Sequence, residues 1–88
     1  MITKGSAAKR HRQSEKRRMK NKAIRSEVRS GAKRVLTAVA SNERSAADEA
    51  YRAYVALVDS ATRKGVYHKN AAGRKKSRMA HRVNAIQS

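Results

Sequence analysis

The chain has no cysteine, no proline, no tryptophan and no phenylalanine, and only six acidic residues. Without cysteine there are no disulfides and no thiolate metal sites, which suits a reducing compartment. Without proline, nothing in the sequence forces a helix to kink or stop. Three tyrosines are the only aromatic residues. Helices that lie on membranes carry bulky apolar anchors beside their basic face, so this scarcity argues against a membrane role. The longest apolar stretch, Val35 to Ala40, is interrupted by Thr37 and is far too short to span a bilayer. Residues 1–20 hold no apolar core of the kind a secretory signal needs.

What the chain has in excess is positive charge. Its 88 residues include 23 Lys and Arg, for a net charge of +17. Such a chain repels itself and needs an anion beside it to stay compact. Nucleic acid fits, because its phosphates are dense and regularly spaced. The charge is also uneven. Residues 1–42 hold 13 basic and 2 acidic groups, residues 43–64 hold 4 of each, and residues 65–88 hold 6 basic and no acidic groups. The two ends therefore face the anion, and the middle is scaffold.

Length sets a single domain with a modest core. Alanine, arginine and lysine dominate, and all are good helix formers. The expected fold is all-α: a three-helix bundle whose long basic first helix extends beyond the bundle. Helices are expected over 6–41, 45–64 and 68–86. Ser41-Asn42 makes the first break, since Asn tolerates the left-handed conformation that ends helices. Ser45 reads as the next N-cap, with Asp48 and Glu49 suited to the positive end of that helix. Gly65, after Arg63 and Lys64, makes the second break. Apolar residues fall at helical spacing in three stripes. The first is Ile24, Val28, Ala32, Val35, Leu36 and Val39. The second is Ala47, Ala50, Tyr51, Tyr54, Leu57, Val58 and Ala61. The third is Ala72, Met79, Val83 and Ile86.

The first stripe begins only at Ile24, whereas residues 4–22 hold nine Lys or Arg. An unsupported helix with so many like charges is marginal in water. This arm is expected to be largely frayed in the free protein and to fold on an anionic partner as one helix with residues 24–41.

Two clusters carry the binding chemistry. One runs from Lys9, Arg10 and Arg12 to Lys16, Arg17, Arg18, Asn21 and Lys22. Glu15 and Glu27 are too few to make it a merely solvated charged face. The other runs through His68, Lys69, Asn70, Arg74, Lys75, Lys76 and Arg78. It opens a helix, so backbone N–H groups there also favour phosphate, with Asn70 as a local cap. His11, His68 and His81 lack metal-ligand spacing, and no nucleophile constellation or phosphate-cradling glycine loop is present. No catalytic residue, metal or other cofactor is expected. Tyr51 and Tyr54 match the apolar stripe and read as core, whereas Tyr67 is balanced between packing and base contact. Zinc fingers need cysteine, and a leucine zipper needs more apolar heptads than this stripe provides. A nucleoid-type DNA-compacting protein is the alternative function.

The run Ser6-Ala7-Ala8-Lys9-Arg10, with Gln13-Ser14-Glu15-Lys16, Arg18, Asn21, Arg25-Ser26 and Arg29, resembles the opening helix of one bacterial ribosomal family. The stretch Lys64-Gly65-Val66-Tyr67-His68-Lys69-Asn70-Ala71-Ala72, with Arg74, Lys76 and Ser77, is similar to that family's most characteristic segment. The family is the S-twenty proteins of the small ribosomal subunit, and the resemblance spans nearly the whole chain. It implies a three-helix bundle with a very long first helix and a structural, non-enzymatic role. It implies direct binding to small-subunit ribosomal RNA in the cytoplasm, in support of its folding and assembly. The chain would be a monomer within the ribosome, with neighbouring ribosomal proteins as optional further contacts and no small-molecule substrate. RNA contacts implied by the resemblance fall on Lys9, Arg10, Lys16, Arg18, Asn21, Arg25, Arg29, His68, Lys69, Asn70, Arg74 and Lys76. Gly31 and Gly73 depart from the family pattern, and each costs a helix about 1 kcal/mol relative to alanine.

Overall fold

The computed structural model describes residues 2–86, with side chains from residue 8 onward. The ends of the expected 1–88 domain, Met1, Gln87 and Ser88, lie outside the described residues. Three helices follow one another: α1 (Ile2–Ala40), α2 (Arg44–Arg63) and α3 (Lys69–Asn84). No strand occurs among the described residues. The principal extents are 68 × 21 × 14 Å, which is the shape of a rod with a bundle at one end. α1 starts four residues earlier than the sequence suggests, and the other boundaries shift by one or two.

Both reversals are built the same way. Asn42 sits at φ 58 and Gly65 at φ 80. At the first, the Asn42 N–H donates to the Val39 carbonyl (3.0 Å) and the Glu43 N–H to the Ala38 carbonyl (3.2 Å). At the second, Gly65 donates to Thr62 (3.0 Å) and Val66 to Ala61 (2.9 Å). This paired closure satisfies the last free carbonyls of a helix. Val66 and Ala61 add the apolar contact that accompanies it, since Val66 packs against the core that Ala61 belongs to.

The start of α2 corrects the sequence reading. Glu43, not Ser45, is the N-cap, and it makes no side-chain cap bond. The Glu43 N–H is already used to close α1, so its carbonyl takes the first bond of α2 directly, from Ala47 at 2.9 Å. Ser45 is left inside the first turn. Asp48 turns to Arg44, whose Nε lies 3.2 Å from its carboxylate. The cap of α3 is also corrected. It is His68, whose Nδ1 accepts from the Asn70 N–H at 3.1 Å, so Asn70 supplies the donor rather than the cap.

The core consists of Ile24, Val28 and Val35 from α1, Ala47, Tyr54, Val58 and Ala61 from α2, and Ala72, Met79, Val83 and Ile86. Ile86 lies past the end of α3 yet is 8 % exposed. Leu36 is the one stripe residue that the fold leaves out, at 38 % exposed. The neighbouring helices cover the side of α1 that carries Val28, Gly31 and Val35, and one residue further turns the side chain about 100° away. Gly31 is buried because α2 passes close by. A Cβ there would lie 2.9 Å from Leu57 Cδ1 and 3.8 Å from the Tyr54 Cα. Gly73 has nothing within 4 Å of its Cβ direction, so packing does not account for it.

Three side-chain links tie α3 to α2. The Tyr51 hydroxyl donates to the Lys76 carbonyl at 3.1 Å, and Lys76 Nζ pairs with Asp59 at 2.9 Å. At the other end Arg44 reaches Asn84 at 3.1 Å. Burial pushes the Tyr54 hydroxyl above its ordinary pKa of 10.0, and Tyr67 and Tyr51 add to the rise.

Candidate nucleic-acid interface

One helix face changes character along α1, and that change decides where the bundle stops. In the bundle the face carries Ile24, Val28, Gly31 and Val35, all buried. Two heptads earlier the same face carries Arg10, Ser14, Arg17 and Asn21. No helix can dock on that stretch without burying guanidinium groups, which is costly. Lys9, Arg10, Arg12, Lys16, Arg17 and Arg18 are accordingly exposed, and only Asn21, next to the bundle, is half-buried. Helical spacing spreads these cations around the arm, so the arm is basic on every side.

From Arg18 onward the cations gather into one line. Arg18, Lys22, Arg25, Arg29 and Lys33 follow at steps of four and three, which keeps them on one face over about 22 Å. All five are exposed. Glu27 is two residues from both Arg25 and Arg29 and so points to the far side. Arg18 pairs with Glu15 at 3.0 Å. That pair is open to water and contributes little, so it does not withhold Arg18 from a phosphate. The sequence reading missed Lys33, although its four-residue step from Arg29 is the signal that reveals it.

The second cluster sits on α3. His68, Lys69, Asn70, Arg74 and Arg78 are exposed, and Lys75 and Lys76 are half-buried. An accepting Nδ1 carries no proton, so the His68 ring keeps Nε2 for an outside partner. Lys75 holds its ammonium 5.0 Å from the centre of the Tyr67 ring, a cation–π contact that orders it. Tyr67 thus packs against the core and positions a cation at once. Lys76 differs from the others because its charge is shared with Asp59. Arg82, one turn beyond Arg78 and exposed, extends the patch and was also missed. The fold brings Lys75, Arg78 and Arg82 of α3 alongside Leu36 in the bundle half of α1. It leaves residues 9–18 on the arm as a separate surface.

Carboxylates are few near both surfaces, Glu15 beside Arg18 and Asp59 beside Lys76 being the pairs described above. Four of the six acidic residues, Glu43, Asp48, Glu49 and Asp59, belong to α2 or its cap, and α3 has none. Among the described residues no group of three His, Cys, Asp or Glu could hold a metal ion. No helix of the described residues is long and apolar enough to cross a membrane. The arrangement can bind polyanions along two lines.

The sequence profile described as Ribosomal protein S20 matches residues 3–84. The chain is 45% identical over 86 residues to the small ribosomal subunit protein bS20 of Alcanivorax borkumensis, covering 98% of each chain. It is 44% identical to the bS20 of Methylococcus capsulatus, covering 98% of this chain and 94% of that one. It is 46% identical over 80 residues to the bS20 of Bacillus mycoides, covering 91% of this chain and 94% of the relative. The long basic first helix, the short bundle and these full-length matches agree, and the chain belongs to the ribosomal protein S20 family.

Proposed function

We propose that this protein is a structural constituent of the small ribosomal subunit. It binds small-subunit ribosomal RNA directly and supports the folding and assembly of that RNA. The observation that carries this is the partition of charge. Exposed cations run along the arm and along one face of α1 and of α3, while the carboxylates are concentrated on α2. Each phosphate neutralised releases condensed counterions, which drives binding without reading sequence. Specificity comes from RNA shape, because the deep groove of an RNA duplex is closed to side chains.

The mechanism is architectural. The all-round basic arm sits between RNA segments that would otherwise repel each other. The bundle holds the α1 line and the α3 patch at a fixed angle, so phosphates from separate segments meet one rigid body. The contacts are Lys9, Arg10, Arg12, Lys16, Arg17, Arg18, Asn21, Lys22, Arg25 and Arg29 on α1. On the second surface they are His68, Lys69, Asn70, Arg74, Lys75, Lys76 and Arg78. The arm orders as it meets the RNA, a coupled folding that lets a small chain reach a distant segment. Neighbouring ribosomal proteins are further contacts within the assembled particle, where the protein is a monomer.

No observation favours the DNA-compacting alternative. Sedimentation of tagged protein from a cell extract tests the choice. Co-migration with small subunits, lost on RNase but not DNase treatment, is the expected result. Nucleoid association lost only on DNase treatment would overturn it.

A further inference from the structure

Leu36 is the largest apolar side chain that the bundle leaves open, apart from Met19 on the arm. A single exposed leucine needs no explanation by itself. The surroundings of this one do. Leu36 forms one edge of a furrow between α1 and α3, lined also by Tyr54, Lys75, Met79, Arg78 and Arg82. The furrow is shallow and open, with room of about 440 Å³ along it. Its floor is apolar, since Tyr54 is 3 % and Met79 8 % exposed. Three cations stand on the α3 side, and no acidic residue lines it. Lys75 is held in place over Tyr67.

An apolar floor walled by cations requires an occupant with the opposite combination: a flat apolar part attached to negative charge. The outer face of an RNA duplex offers phosphate, ribose and polar base edges but no exposed base face, so it would leave Leu36 without an apolar partner. An acidic protein segment would supply charge, but on the RNA-binding reading above it would have to displace phosphates from the cations on the α3 side. A nucleotide turned out of its stack meets both requirements, because its base faces are apolar and its neighbours are phosphates. We propose that this furrow receives one unstacked nucleotide of the bound RNA. The base lies on Leu36 and Met79, and the flanking phosphates sit on Lys75, Arg78 and Arg82. The inference rests on the RNA-binding reading above and adds a place where the protein meets a base.

The test uses the full-length protein and a transcript of small-subunit ribosomal RNA. Affinity is measured over a series of salt concentrations, and base accessibility is mapped by chemical modification. Leu36→Ala is expected to weaken binding by about three- to tenfold, at the lower end for contact with a base face. Its salt dependence should be unchanged, because no phosphate contact is lost. One base protected by the wild type should become reactive. Leu36→Met should keep both affinity and protection. Arg78→Gln should instead reduce the salt slope by about one. Thermal melting of each free variant, matching the wild type, establishes that the fold is retained. Wild-type affinity and protections in Leu36→Ala overturn the proposal. So does an affinity loss with no single base exposed, or a defect confined to binding a neighbouring protein. Failure of the wild type itself to bind with a steep salt dependence would instead overturn the RNA-binding reading.

Discussion

Val58→Ala probes the core at its most closed point. Val58 is 0 % exposed and, with Val35, is one of the two largest fully buried side chains. The substitution removes two methyl groups. At about 0.8 kcal/mol each the transfer loss is about 1.6 kcal/mol. A residual cavity of about 50 Å³ adds about 1 kcal/mol, so the expected cost is about 2–3 kcal/mol. A bundle of this size, residues 24–86, has about 3–9 kcal/mol in all. The substitution should therefore lower the melting temperature by about 10–20 °C and leave a marginal protein. Far-ultraviolet circular dichroism follows the helices. Near-ultraviolet tyrosine signal follows the bundle separately, because Tyr51, Tyr54 and Tyr67 all pack in or against the core and the arm has no tyrosine. Two controls set the scale. Leu57, half-buried, should lose about 2 kcal/mol on change to alanine, at the low end for such a truncation. Leu36→Ala should lose less than about 1 kcal/mol. A Val58→Ala protein that melts within about 3 °C of the wild type by the tyrosine signal would refute the packing. A Leu36→Ala protein that loses as much as Val58→Ala would do the same.

Other outcomes follow from charge, backbone and burial. Affinity for ribosomal RNA should fall by about a thousandfold or more between low and moderate salt if six or more phosphates are met, and a flat filter-binding series would rule that out. Amide hydrogen exchange should show residues 8–20 unprotected in the free protein and protected on RNA. Strong protection without RNA would make the arm a preformed rod. Gly31→Ala should change stability by less than about 1 kcal/mol, because the gain in helix propensity offsets displacement of the Leu57 tip. Gly31→Val should cost about 1–3 kcal/mol through overcrowding, and urea titration separates the two. Tyr54 has its folded pKa raised above 10.0, so the fold favours the neutral phenol. That contribution is complete below pH 10 and is lost as pH rises through the folded value. Tyr54→Phe should remove the last-ionising part of the tyrosinate absorbance titration, and an unchanged late phase would contradict the assignment.

The fold was largely legible because two signals agree locally. Apolar spacing marks all eleven core residues as stripe members, Tyr54 among them. Asn42 and Gly65 were readable as reversal points because left-handed backbone strongly prefers these residue types. Ser45 misled because capping propensity is local, whereas the use of the Glu43 N–H depends on how the previous helix ends. Leu36 misled because a stripe of step three and four is wider than the surface that two neighbours can cover. The basic surfaces were legible as clusters, but their edges were not. Lys33 and Arg82 stand outside the dense runs of charge and extend their lines only through a four-residue step from Arg29 and from Arg78. The pairing of Lys76 with Asp59 joins residues on different helices and has no trace in sequence spacing.

Continuity of α1 from the bundle into the arm has a consequence of phase. A helix advances about 100° and 1.5 Å per residue, and no joint separates Arg18 from Ile24. The direction of every arm cation is thus geared to the docking of Val28 and Val35 on α2. Deleting one residue between 19 and 23 would leave residues 9–18 and the core unchanged. It would nonetheless turn residues 9–18 by about a quarter turn relative to α3. The bundle works as the index mark of a dial on which the arm is the pointer. Any polyanion that spans the arm and α3 would then be sensitive to residue count along α1 as well as to residue type.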